Sequence, residues 1–218
     1  GSNSLLEIYI PGYISEIGEK AFFRTSIVSV EFADEPAGSL VIGASAFENV
    51  TSLTSVYLPS QLVSVGEKAF YMSGLSSLSY GEGSVFETGN YAFSKTALEN
   101  VVLSERFLPV GEYVFADNPV LKNVSVESSQ NTAFSVYFGD YMFKGSALES
   151  VIFPSDYTVS VSSIGKEAFA DNAFLSSLSF AADENGLTLG EYAFRSSAIS
   201  SFGVSGKPSY FTVKEGAF

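Results

Sequence analysis

Ile17-Gly18-Glu19-Lys20-Ala21-Phe22 and Val65-Gly66-Glu67-Lys68-Ala69-Phe70 are two copies of one hexad, apolar-Gly-x-x-Ala-Phe. Ile42 to Phe47 and Ile164 to Phe169 repeat it, and close variants end at Phe93, Phe115, Phe143, Phe194 and Phe218. The nine phenylalanines are separated by 25, 23, 23, 22, 28, 26, 25 and 24 residues. A period of this size marks a stacked array, in which one unit recurs and each copy touches only its neighbours. Five or six residues after every Phe but the last comes apolar-x-x-apolar-x-apolar, as in Ile27, Val30, Phe32, then Leu53, Val56, Leu58, then Leu98, Val101, Leu103. Leu5, Ile8 and Ile10 supply one more copy ahead of the first hexad, so the chain opens partway through a unit.

Two periods are fused in that unit. The closing apolar-x-apolar alternation reads as a short strand with one buried face. Gly-x-x-Ala-Phe reads as a tight reversal followed by about one helical turn, with Gly supplying unusual backbone angles and Ala admitting a close neighbour. A unit of about 24 residues cannot bury its own apolar side, so copies must stack and their strands pair in parallel. Nine strands about 4.8 Å apart would make a sheet roughly 40 Å long. The recurring Phe side chains become a column through the interior.

Composition removes most catalytic chemistry. The 218 residues contain no His, no Cys and no Trp, which excludes Ser-His-Asp and Cys-His nucleophiles, disulfides, and His or Cys metal ligands. Apolar residues at 46% against 16% charged exclude disorder and supply a large core. The formal charge of -13 leaves no basic patch for nucleic acid or anionic membranes. No apolar run is long enough for a membrane span, so this segment is not expected to insert. Gly1 to Ser4 lacks a signal-peptide layout and reads as a cloning scar or a partial repeat.

The units resemble the BspA-type leucine-rich repeats, whose pattern runs apolar-Gly-x-x-Ala-Phe, a short spacer, then Leu-x-x-Leu-x-Leu and often Pro. Pro11, Pro59 and Pro154 match that last position. Where the family often has Cys, three residues after Phe, this chain has Thr25, Val50, Ser73, Thr96, Asn118, Ser146, Asn172 and Ser197. The resemblance implies an α/β repeat solenoid: a right-handed superhelix with a parallel β-sheet on its concave face and short helical turns or irregular segments on its convex side. The expected organisation is a single solenoid domain over residues 1–218, of about nine units. That domain reads as a fragment of a longer chain, because both ends lack polar caps.

The resemblance also implies a bacterial cell-surface or extracellular protein whose repeats serve adhesion or recognition, with no catalytic residues and no cofactor. Three columns of residues are candidates for contact. Along the strands run Glu7, Ser29, Ser55, Ser77, Asn100, Asn123, Ser150, Ser177 and Ser201, a ladder of short polar groups that reads most simply as packing. Beside it, Tyr9, Glu31 and Tyr57 form a recognition patch. Two residues before each Phe, Tyr91, Tyr113 and Tyr141 form a row that would either stack on a sugar ring or cover the core edge. The acids after the hexad glycines, among them Glu19, Glu67, Glu112, Asp140 and Glu191, complement a helical-turn dipole, and their row leaves weak Ca²⁺ binding as an option. Insertions at Ala33 to Leu40, Glu127 to Val136, Ser155 to Ser163 and Ala181 to Leu187 map to loops.

The leading expectation is a non-catalytic recognition module for a host or bacterial surface protein or glycan. The alternatives are a structural spacer of a surface protein and, more remotely, a carboxylate-based glycosidase. Uncapped ends add end-to-end self-association as a further expected contact.

Overall fold

The structure, a computed structural model, describes residues 6–35, 37–82, 85–128, 133–155 and 158–218. Leu5 and the centres of the Glu127 to Val136 and Ser155 to Ser163 insertions lie outside the described residues. The chain winds into a parallel β-solenoid of about eight turns. Each coil has three sides.

The first side carries the apolar-x-apolar strands, numbered here in chain order with those of the second side: β1 (Glu7–Ile10), β3 (Ser29–Phe32), β5 (Ser55–Leu58), β7 (Ser77–Tyr80), β9 (Asn100–Leu103), β11 (Asn123–Val126), β13 (Ser150–Ile152), β15 (Ser177–Ala182) and β17 (Ser201–Ser205). The second side carries β2 (Glu16–Ile17), β4 (Leu40–Ile42), β6 (Leu62–Val65), β8 (Phe86–Thr88), β10 (Phe107–Leu108), β12 (Phe134–Phe138), β14 (Val159–Ile164), β16 (Leu187–Leu189) and β18 (Phe211–Val213). All recorded pairings are parallel, and most pair residues one repeat apart.

The second side carries two ladders, β2-β4-β6-β8-β10 and β12-β14-β16-β18, where the repeat reading assigned connections and loops. Its residues nevertheless alternate, as in Leu40-Val41-Ile42 and Leu187-Thr188-Leu189, whose burial runs in, out, in. The C-terminal parts of the Glu127 to Val136 and Ser155 to Ser163 insertions therefore run into strands β12 and β14.

The first side is not one ladder of nine strands either. It is cut into β1-β3, β5-β7, β9-β11-β13 and β15-β17, and the last pair joins the second side through β14. Between β7 and β9 no backbone ladder forms.

The third side holds the hexads, and no helix forms among the described residues. Tight turns replace the expected helical turn. Alternate amides close four-residue turns (Ala21 N to Gly18 O at 3.2 Å, Phe23 N to Lys20 O at 3.1 Å, Thr25 N to Phe22 O at 3.2 Å). The amides between them reach the next coil (Lys20 N to Ala44 O at 2.9 Å, Phe22 N to Ala46 O at 2.8 Å, Arg24 N to Glu48 O at 3.0 Å). Every N–H from Lys20 to Thr25 thus has a partner, and the same pattern at Ser45, Ala46 and Phe47 serves amides that are buried, where pairing is required.

The turn path needs left-handed backbone at two sites per coil, and they are not the hexad glycine. Lys20, Ser45, Lys68, Tyr91, Tyr113, Tyr141, Glu167, Tyr192 and Gly216, each two residues before its Phe, have φ between 49° and 58°. Two residues after Phe the same region recurs, from Arg24 at 54° to Gly145 at 67°. A positive φ at the third position is what a type II turn demands. The hexad glycine answers a different need, close backbone approach: a Cβ on Gly66 would lie 2.7 Å from Ala44 N, and one on Gly190 2.5 Å from Gly165 C.

The core forms one cluster through all coils. Phe22, Phe47, Phe70, Phe93, Phe115, Phe143, Phe169, Phe194 and Phe218 stack in order, with centroids 5.1 to 5.6 Å apart and planes within 24°. Beside them runs the position where related repeats often carry Cys. Asn118 and Asn172 there are fully buried. The Asn118 amide donates to the carbonyls of Phe93 (3.0 Å) and Phe115 (3.1 Å) and accepts from Thr96 N (2.6 Å). Each such Asn ties two coils through groups that would otherwise be orphaned.

Candidate functional site

Three outward regions carry the candidate residues. On the first side, Tyr9 sits directly beside Glu31 in the register of β1 and β3. Tyr57 is the registered neighbour of Ser79 and not of Glu31, because β3 and β5 share no ladder. Its hydroxyl donates to Asp34 Oδ2 at 3.3 Å. Burial and then the charge of Asp34 push the Tyr57 phenol above its ordinary pKa. The expected trio is therefore a Tyr9–Glu31 pair and a separate Tyr57–Asp34 pair, with both tyrosines exposed. The polar ladder next to them is internally bonded: Asn123 donates to Asn100 at 2.9 Å and Ser150 to Asn123 at 2.8 Å.

On the turn ridge, Tyr91, Tyr113 and Tyr141 stack face to face, at 4.7 Å and 8° and then at 4.3 Å and 1°. Lys68 caps the outer face of Tyr91 at 5.7 Å, and Lys144 and Lys166 lie 5.6 and 5.9 Å from the Tyr141 ring. The ring faces are thus spent on one another and on ammonium groups. No face is left for a sugar ring, and only edges and hydroxyls meet solvent. Burial first, then the neighbouring Tyr141 and Tyr91, raise the Tyr113 pKa to about 12. The next residue of this column is Glu167, which is buried and accepts from Lys144 Nζ (2.6 Å) and Arg195 Nη2 (2.8 Å). Burial pushes its carboxyl up, but the Lys144 bond and the charges of Lys144 and Arg195 outweigh that and hold it below its ordinary value.

The acids after the hexad glycines have local partners instead of a helix dipole. Asp140 Oδ1 accepts from Lys166 N at 2.8 Å, and Glu19 and Glu67 pair with the following lysines at 2.7 and 3.3 Å. Among the described residues no group of three or more acids is placed to hold a metal ion.

The third region was not anticipated from the sequence. Where β7 and β9 part, a cleft of about 280 Å³ opens on the first side, walled by Leu78, Ser79, Tyr80, Val102, Ser104, Arg106 and the carboxylates Glu82 and Glu127. The Tyr80 hydroxyl spans its floor, donating to Val102 O at 3.2 Å and lying 3.1 Å from Ser104 Oγ. Burial raises the Tyr80 pKa; the Ser104 bond opposes this, Glu127 and Glu105 add to it, and Arg106 opposes it. One signal was present: Tyr80 stands where the motif wants Leu, and Gly81 where other units have Pro.

Two sheets, a turn ridge and a stacked phenylalanine core define a leucine-rich-repeat solenoid. The family profile of the BspA type leucine-rich repeat region matches six copies, over residues 1–37, 16–138 and 136–218, and the chain belongs to that family. Among solved structures, a leucine-rich repeat protein of Bacteroides ovatus shares 20% identity, 96% of this chain, 58% of its own length and a TM-score of 0.61. The pneumococcal vaccine antigen PcpA shares 19% identity, 97% of this chain and 66% of its own, with a TM-score of 0.52. These likenesses show the fold, and this chain spans about three fifths to two thirds of those proteins. Among curated proteins no relative matches.

Proposed function

We propose that this chain is a non-catalytic recognition module of a bacterial surface or extracellular protein, which presents a preformed face to a host or bacterial surface protein or glycan. The carrying observation is the register of the first side. Outward residues of paired strands stand opposite one another, as Tyr9 with Glu31 and Tyr57 with Ser79, on coils locked by one core. Side chains ordered in advance lose little freedom on association, which is what a recognition surface needs. Membership of the BspA-type family supports the reading. Fold by itself assigns no ligand, so the surface must be tested.

The test is a binding screen of the 218-residue chain against matrix proteins, mucins and polysaccharides, with and without Ca²⁺. Saturable binding weakened by Tyr57→Ala supports the first side, and weakening by Tyr113→Ala supports the ridge. The unbroken phenylalanine stack also suits a stiff spacer, and binding to no component of the screen would favour that function instead. Release of reducing sugars from any polysaccharide would overturn the non-catalytic reading.

A further inference from the structure

The first-side ladder is interrupted at β3/β5, β7/β9 and β13/β15, and at the β7/β9 break the gap opens into the cleft. Its depth comes from that parting, with the phenol of Tyr80 as the only described bridge recorded between the two strands. Leu78, Val102 and the Tyr80 ring give it apolar walls. Glu82 and Glu127 supply carboxylates to the lining. Arg106 also lines it, but it is held by partners of its own, as is Glu105.

Size, walls and charge together select an occupant. A space of about 280 Å³ is below the usual range for drug-sized ligands and suits one long side chain. Apolar walls below carboxylates match a methylene stem that ends in a cation. No aromatic face is offered as a platform for a sugar, since Tyr80 packs edge-on against Phe86 and Phe107 at 5.6 Å each. The surrounding surface has the same preference. Away from the turn ridge the described residues include 13 of the chain's 24 acids but only Arg106, Lys122 and Lys207 of its 11 cations.

We infer that this cleft is an anchor pocket for an arginine or lysine side chain on a basic, extended segment of a partner protein. The inference rests on the recognition reading and narrows it to a protein partner with that chemistry. The partner's backbone lies along the outward columns of the first side, and its cationic side chain enters between β7 and β9. Long-range attraction by the acidic faces speeds the encounter, and the pocket selects the residue.

Fluorescence anisotropy with labelled hexa-arginine, hexa-lysine and hexa-glutamate peptides, and with labelled maltohexaose as the neutral sugar, tests this at 0.15 M salt. The cationic peptides are expected to bind, and Glu82→Gln/Glu127→Gln to weaken them about tenfold. Glu16→Gln/Glu87→Gln on the second side makes the same change in net charge and is expected to shift affinity less than twofold. Ser79→Tyr fills the cleft with a residue type that the same column already carries at Tyr9 and Tyr57, and is expected to abolish binding without unfolding the chain. Equal weakening by both charge pairs would reduce the effect to general attraction and overturn the pocket, as would maltohexaose binding lost in Ser79→Tyr. Loss of the cleft with retained binding to a ligand from the broader screen would leave the recognition reading standing.

Discussion

At the scale of single residues, glycine and its neighbours divide two tasks that the sequence pattern merges. The hexad glycine is kept for proximity, and the strained left-handed positions fall on ordinary side chains, each at a cost of order 1 to 3 kcal/mol that the coil stack must outweigh. Gly89→Ala would place a Cβ 2.6 Å from Glu67 N, whereas Gly18, in the first coil, has nothing within 4 Å. The expected loss is about 3 kcal/mol for Gly89→Ala and close to none for Gly18→Ala, read by denaturant unfolding. Glu167 makes a pH prediction. Its carboxyl is held below the ordinary value of 4.5, so its contribution is complete above that pH and fades as pH falls toward the lowered pKa. Glu167→Gln should therefore cost about 2 kcal/mol at pH 7 and progressively less below pH 4.5, the gap closing as the wild-type carboxyl protonates. A gap that stays constant down to pH 3 would remove the carboxylate from the account.

At the scale of elements, the repeat, the Phe column and the first-side strands were legible because burial alone dictates them. Phe-to-Phe spacing needs only that identical units stack, and the alternation of β3 or β5 needs only one wet face. The second sheet was harder to see because its strands are as short as Glu16–Ile17 and the inserted residues obscure the period. The helical-turn expectation failed for a physical reason: with amides bonding alternately within the turn and to the next coil, the backbone cannot also form a continuous i→i−4 ladder. The Tyr row was seen as a row but not as a closed stack, because spacing places residues without orienting rings. The cleft was illegible for a similar reason, since one Tyr in a Leu position does not say that two strands will part. Two measurements follow. Phe115→Ala, in the middle of the spine and fully buried, should cost about 3 to 5 kcal/mol, and Phe22→Ala, only partly buried in the first coil, clearly less. Tyr113 ionises only near pH 12, so the native fold resists a deprotonation that an unfolded chain undergoes near pH 10. Stability should fall between those values, and Tyr113→Phe should flatten the slope. A Tyr113 that titrates with the exposed tyrosines in ultraviolet absorbance would contradict the closed stack.

At the scale of the whole molecule, charge is sorted by side. Eight of the 11 lysines and arginines lie on turn segments, where most pair with acids or lie over aromatic rings, and the described strands and connections away from the ridge carry 13 acids against three cations, most of the -13 net charge. Like-charged faces hold copies of the chain apart at low salt. The coil that ends at Phe218 pulls the other way. Tyr210, Phe211, Val213 and Phe218 are each about half exposed or more, and β17 and β18 present unpaired edges. An apolar edge with free backbone groups favours the addition of another coil, and in a solution of this chain the nearest supply is a second copy. Repulsion and edge pairing respond oppositely to salt. Raising ionic strength shortens the Debye length from about 30 Å at 0.01 M to about 8 Å at 0.15 M, which screens the sheet faces and leaves the edge intact. The 218-residue chain is therefore expected to be monomeric at 0.01 M salt and to associate at 0.15 M and above in static light scattering, increasingly with concentration. Phe211→Ser/Val213→Ser should suppress that association by removing apolar area from the edge, while Glu16→Gln/Glu87→Gln should bring it on at lower salt by weakening the repulsion. Mass that does not change with salt in all three proteins would mean that the exposed edge drives no contact between copies.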